Sequence, residues 1–296
     1  MDSPPPPGIK RAAAWGVTCG AGAALCWALG FVAARQGVTH GLSPLVIALH
    51  RFVWPGLALF PLVAGQGFRN LRLVGLRRSV VLALTGGLPL ALFSYLGYVL
   101  VPLGHGALIQ PSCAALGGLL LARFLLKEPL PSRRIVGAVA MLAGLGVIGA
   151  EALRTMGASG ILGDLLFVAA GTCFAIFGVL LRLWLVPPMR AAAITSVLSL
   201  AGLPMLLFSY HNMIAAGLYE NLSQAMVQGV LAGAGAIYLF TRAVELLGAS
   251  RAVLFPSLVP PFTLLIGYLT LGEAPSLSQL IGLVIVLVGF RLTQRN

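Results

Sequence analysis

Two adjacent residues in the run LVIALHRFVWPGLALF (45–60) could do chemistry that the rest of the run could not. His50 can hold or release a proton. Arg51 is a fixed cation whose planar fork matches a carboxylate through two parallel hydrogen bonds. The run around them reads as membrane-embedded, where an arginine costs roughly 2.5–3.5 kcal/mol to insert. Two readings of Arg51 follow. It binds a substrate carboxylate or steadies a gate, or it caps helix carbonyls or pairs with an acid, Asp164 being the expected mate.

Other side chains suit an aromatic or polar ligand. Trp27 and Phe31 are four apart on one helix face, Tyr95 and Tyr98 three apart on another, and Tyr238 stands alone in a later span. Such spacing is also that of ordinary packing, but Tyr and Trp add a polar handle. Gln110 can donate or accept beside Pro111. Pro111, Pro256 and Pro260 interrupt apolar stretches, and each removes a backbone donor. No acid falls deep in the first four apolar stretches or the ninth, so a proton would have to be carried by His50 or His105, or not at all. Cys19, Cys26, Cys113 and Cys173 lie within apolar runs, with neither disulfide nor metal-ligand spacing. The tetrapeptide GASG (157–160) fits the GxSG pattern of intramembrane proteases, but it lies in a Gly/Ser-rich connection with His211 as the only later histidine. A continuous polar ring of the kind a pore requires is missing. No cofactor or metal is implied.

The elements that must position these residues follow from composition. Of 296 residues 59% are hydrophobic and 9% charged. A soluble domain carries about 25% charged residues, so most of this surface faces something other than water. Apolar stretches of about 20 residues match a hydrocarbon core of about 30 Å. The predicted class is an all-α integral membrane protein with ten transmembrane helices, at 13–34, 44–65, 79–101, 104–126, 134–150, 160–181, 191–210, 222–244, 250–271 and 276–292. Residues 1–12 form a proline-rich N-terminal tail, and the first span is read as retained. With both termini cytoplasmic, 15 Lys and Arg fall at inner span ends and two, Arg35 and Arg154, at outer ones. The net charge of +12 is spread over short loops, which points to anionic lipid and not to nucleic acid.

The chain repeats itself. Residues 108–144 align without a gap on 253–289, at a spacing of 145, matching Pro111 with Pro256, Glu128 with Glu273, Gly137 with Gly282 and Gly144 with Gly289. The unit is five helices, 13–151 and then 160–292. Because five is odd, the second copy enters the membrane inverted, with Glu128 at the inner face and Glu273 at the outer. Inverted repeats are the architecture of many secondary transporters, whose sites lie where helices are interrupted in matching positions. Glycines seven apart in the fifth and tenth spans suit close packing and mark these two as scaffold. The residue 145 beyond Arg51 is Ser196, so Arg51 has no basic counterpart of the kind a symmetric structural role would demand.

CWALGFVAARQG (26–37), HRFVWPGLAL (50–59), GDLLFVAAGTCFAIFGVLLRLW (163–184) and LVPPFTLLIGYLTLGE (258–273), in this order and spacing, resemble the drug/metabolite transporter superfamily in its EamA-type ten-helix form. The first copy departs from the pattern, with Ala115 where a proline falls and LKE (126–128) in place of LGE. Overall likeness is greatest to the YddG-type exporters of aromatic amino acids. The resemblance implies a bacterial inner-membrane exporter of amino acids. Apart from membrane lipid and substrate no partner is expected, the chain being taken as a monomer. Exporters of other small metabolites or of cationic drugs are the alternative within the superfamily.

Overall fold

The computed structural model describes residues 7–65, 73–252 and 254–294. Among them every regular element is helical. The helices are α1 Pro7–Thr39, α2 Pro44–Gly65, α3 Leu76–Gly86, α4 Leu88–Leu100, α5 Leu103–Leu125, α6 Ser132–Leu183 and α7 Pro188–Ser199. After these come α8 Tyr210–Ala215, α9 Gly217–Gln224, α10 Ala236–Leu247, α11 Ala249–Ala252, α12 Val259–Leu271 and α13 Leu277–Gln294. Among the described residues eight helical runs are long and apolar enough to cross a membrane, and Phe255–Leu271 is a shorter apolar one. The chain is an all-α integral membrane protein. Exposed Leu, Val, Ile and Phe side chains cover the outside of the bundle, as lipid contact requires.

The helices depart from the predicted spans where Gly and Pro intervene. Span 79–101 is split into α3 and α4 at Gly87, where a Cβ would come within 2.3 Å of the Ala83 carbonyl oxygen. Spans 134–150 and 160–181 fall on the single α6, whose 52 residues would reach about 78 Å if straight. Gly157, at φ 61°, divides it into two arms. Only this glycine leaves the helix, so the expected Gly/Ser loop is otherwise helical. Span 191–210 is finished by a 3₁₀ stretch, Leu200–Phe208, around Pro204. Span 222–244 widens into a π-helix, Ala225–Gly235. Span 250–271 is α11, a 3₁₀ turn Phe255–Leu258 containing Pro256, and α12, which starts just before Pro260. Pro111, by contrast, lies inside an unbroken α5.

The glycines marked as scaffold meet one another. A Cβ on Gly137 would stand 2.5 Å from the Gly289 carbonyl oxygen, and one on Gly289 2.6 Å from that of Gly137. Gly144 and Gly282 face each other in the same way, at 3.0 and 3.2 Å. The first arm of α6 and α13 therefore pack backbone to backbone. On the other side, α1 packs against α10, α12 and the π-helix, while α2 packs against α4, α7 and the π-helix.

Candidate functional site

The polar residues of the interior gather where α1, α2, α4 and the π-helix meet. Gln228, in the π-helix and fully buried, is the hub. Its Nε2 donates to the Gly30 carbonyl oxygen at 2.7 Å. Its Oε1 accepts from the Tyr95 hydroxyl at 2.9 Å and from Arg51 Nη1 at 3.3 Å. Gly30 makes room for this: a Cβ there would lie 2.7 Å from the Ala232 Cβ and 3.4 Å from Arg51 Nη1. Gly229 and Gly233 do the same for α2, since their Cβ positions fall 3.1 Å from the His50 carbonyl oxygen and 3.4 Å from that of Arg51. A π-turn changes which side chains face inward, and such turns recur at functional sites.

Arg51 makes no ion pair among the described residues. The acid expected to neutralise it, Asp164, lies 2.8 Å from His105 Nδ1 instead. The guanidinium is half-buried, and among the described residues it has a long hydrogen bond to the neutral amide of Gln228, with the Tyr95 hydroxyl beside it.

His50, next to it, is fully engaged. The Trp54 indole N–H donates to Nδ1 at 2.9 Å, and Nε2 stands 3.1 Å from Asn221 Oδ1. An indole can only donate, so Nδ1 accepts and the imidazole proton is on Nε2. Asn221 is oriented by its own Nδ2, which donates to the carbonyls of Met213 and Gly217.

A polar ladder continues along α9. Gln224 Nε2 donates to the Ala33 carbonyl at 2.7 Å and to Glu220 Oε1 at 2.9 Å. Glu220 Oε2 meets His40 Nδ1 at 3.0 Å and Gln36 Nε2 at 3.4 Å. Glu220, Gln224 and Gln228 recur every four residues, which places them on one helix face. Sequence reasoning missed all three, although this period of polar residues in an apolar run was the signal that could have found them.

The remaining predicted residues divide. Tyr95 meets Arg51 on Gln228, and Gln110 accepts from Ser94, the neighbour of Tyr95, at 2.6 Å. Tyr98 is fully buried among aromatics, 4.8 Å from the Phe167 ring and 6.4 Å from Phe31. Trp27 packs 5.5 Å from Phe240 between α1 and α10. Tyr238, 57% exposed, lies on the outer face of α10.

An apolar helical bundle with a cation in its polar interior has the build of a membrane transporter. The chain belongs to the EamA-like transporter family, which matches residues 14–150 and 161–294, and so to the drug/metabolite transporter superfamily. It is 28% identical over 198 residues to the uncharacterized transporter YyaM of Bacillus subtilis (strain 168), a match spanning 62% of each chain. A crystal structure of a protein 20% identical in sequence superposes with a TM-score of 0.62 over 95% of both chains, a likeness of fold.

Proposed function

We propose that the protein exports amino acids, aromatic and other neutral ones, across a bacterial inner membrane by alternating access, with both termini cytoplasmic. The observation that carries this reading is Arg51, a half-buried cation with no carboxylate partner among the described residues, hydrogen-bonded to Gln228. A substrate carboxylate would take the place of that long bond and occupy the fork bidentately. Tyr95, the Gly30 carbonyl and Gln228 supply further polar contacts in the same cluster. A cationic substrate would need an acid beside Arg51, and none of the described residues supplies one.

Two sets of contacts support the inverted repeat of ten spans, 13–151 and 160–292, that alternation requires. Gly137 meets Gly289 and Gly144 meets Gly282, and the spacing of 145 residues exchanges one contact for the other. Arg35 pairs with Glu273 and Arg182 with Glu128, each from one half to the other. Mutual contacts of this kind are what a two-fold axis generates.

The test is uptake of radiolabelled L-phenylalanine into proteoliposomes, with unlabelled amino acids and cationic dyes as competitors. Arg51→Gln is expected to lower uptake at least tenfold while the protein stays folded in detergent, with Arg51→Lys between it and the wild type. Wild-type uptake by Arg51→Gln would exclude Arg51 as the carboxylate site. Competition by dyes and not by amino acids would assign the protein to the drug exporters.

A further inference from the structure

Away from the Arg51 cluster, the first turn of α5 and the second arm of α6 bury a titratable pair. His105 Nδ1 and Asp164 Oδ1 are 2.8 Å apart, with side-chain exposures of 0% and 10%. Neither of their other polar atoms, His105 Nε2 and Asp164 Oδ2, has a partner among the described residues. The walls are aromatic: a Cβ on Gly106, the next residue, would touch the rings of Phe167 and Tyr98 at 2.6 Å.

With a neutral imidazole and an ionised carboxylate this pair carries one net negative charge in an apolar wall. Such a charge persists only if something neutralises it. The surrounding elements leave it uncompensated. From α1 the nearby cation is Arg35, held by Glu273 and the Tyr98 carbonyl. From α4 comes the Tyr98 hydroxyl, itself unpartnered. The turn after α12 contributes Glu273, the first arm of α6 contributes Glu151, and α13 contributes only the neutral Gln279. The last three, with Pro102, Leu103 and Gly104, line a cavity of about 170 Å³ that reaches the residue before His105. One carboxylate oxygen of Glu151 is buried without a partner among the described residues. The cavity thus brings two carboxylates, Glu151 and Glu273, to within one residue of His105 along α5.

We infer that the His105–Asp164 pair is the proton-binding site through which transport is coupled to the proton gradient. Asp164 accepts the Nδ1–H, and an arriving proton adds to the lone pair of Nε2. The pair then becomes a neutral imidazolium–carboxylate, and the same proton leaves from Nε2 when the site faces the other compartment. Because His105 is on α5 in the first half and Asp164 on α6 in the second, its charge acts on an interface between the halves. The inference rests on the transporter reading above and adds the coupling ion.

The experiment uses proteoliposomes and radiolabelled L-phenylalanine in two modes. Counterflow exchange needs no net proton movement; accumulation against a gradient does. With an imposed difference of one pH unit, the wild type is expected to accumulate substrate up to about tenfold at one proton per substrate. Asp164→Asn and His105→Gln are expected to keep counterflow and lose accumulation. Accumulation by Asp164→Asn would overturn the site, and wild-type counterflow without pH-driven accumulation would overturn the coupling while leaving the transporter reading intact. If neither variant folds, the double variant His105→Asn/Asp164→Asn, a neutral hydrogen-bonding pair, takes their place. Absence of counterflow in every form would count against the substrate reading alone. The proton site is then judged without substrate, by the pH-induced infrared difference spectrum of the purified protein. An imidazole protonation band present in the wild type and lost in His105→Gln supports the site; its absence from the wild type overturns it.

Discussion

The two ends of α5 have the same ion pair built in two ways. At the start of the helix, Glu273 uses both carboxylate oxygens, one on Arg35 Nε at 2.6 Å and one on the Leu103 backbone N–H at 2.8 Å. Arg35 reaches further, with Nη1 donating to the Tyr98 carbonyl at 2.5 Å. Both side chains are mostly covered, at 17% and 24% exposure. At the other end, about 34 Å away along 23 residues, Glu128 meets Arg182 through a single contact, with the two side chains 33% and 56% exposed. Glu128 and Glu273 are matched positions of the repeat, yet one pair ties three helices together and the other joins two helix ends in the open. An exposed pair contributes roughly 0–1 kcal/mol, whereas an ion left without its partner in a covered site costs more than that. The difference makes the Glu273 end the more tightly latched of the two and the Glu128 end the more exposed.

The largest expected effect concerns what the two ends share. α6 begins four residues after Glu128 and α13 four residues after Glu273, and these helices cross through the glycine contacts. A side chain at Gly137 or Gly289 would push against a backbone carbonyl that has nowhere to go. Gly137→Val and Gly289→Val are each expected to destabilise by about 3 kcal/mol or more, and by similar amounts. Gly146→Ala, with open space around it, is the control expected to change little. Markedly unequal losses for the two valine variants, measured by unfolding in mixed micelles, would show that the contact is not mutual.

Next in size is the latch. Glu273→Gln leaves Arg35 without its carboxylate and is expected to cost about 1–3 kcal/mol. It should also raise the rate at which an impermeant maleimide labels a cysteine placed at Ala274, in a background without native cysteines. The charge exchange Arg35→Glu/Glu273→Arg is expected to recover only part of the stability, because the bonds to the Tyr98 carbonyl and the Leu103 N–H have the wrong polarity after the swap. Unchanged labelling in Glu273→Gln would remove the distinction between the ends.

The smallest effect is at the open end. Glu128→Gln is expected to cost no more than about 1 kcal/mol and to leave labelling of a cysteine at Pro129 nearly as in the parent. A loss equal to that of Glu273→Gln would mean that exposure is a poor guide to the two pairs.

Much of this protein could be read from local sequence. The apolar runs fixed which segments are membrane-embedded, because transfer into hydrocarbon depends on each residue's own chemistry within a helix-length window. The glycines seven apart in 137–144 and 282–289 were legible for the same reason, since only a missing side chain lets two backbones touch. The interruption around Pro256 was legible because proline removes a backbone donor, whereas Gly87 splits a stretch that read as one span and Gly157 bends α6 without ending it. What the sequence could not settle was partnership. Asp164 was as good a mate for Arg51 as for His105 in composition and depth. The tertiary packing of α5 against α6 decided for His105 and left Arg51 without an acid among the described residues. The π-helix likewise decided that Gln228 faces Gly30 and Arg51, and aromatic packing closed over Tyr98. Burial in lipid is a sum over neighbours in the chain. An ion pair or an amide bridge depends on which helices come within 3 Å, and that distance exists only once the whole bundle has closed.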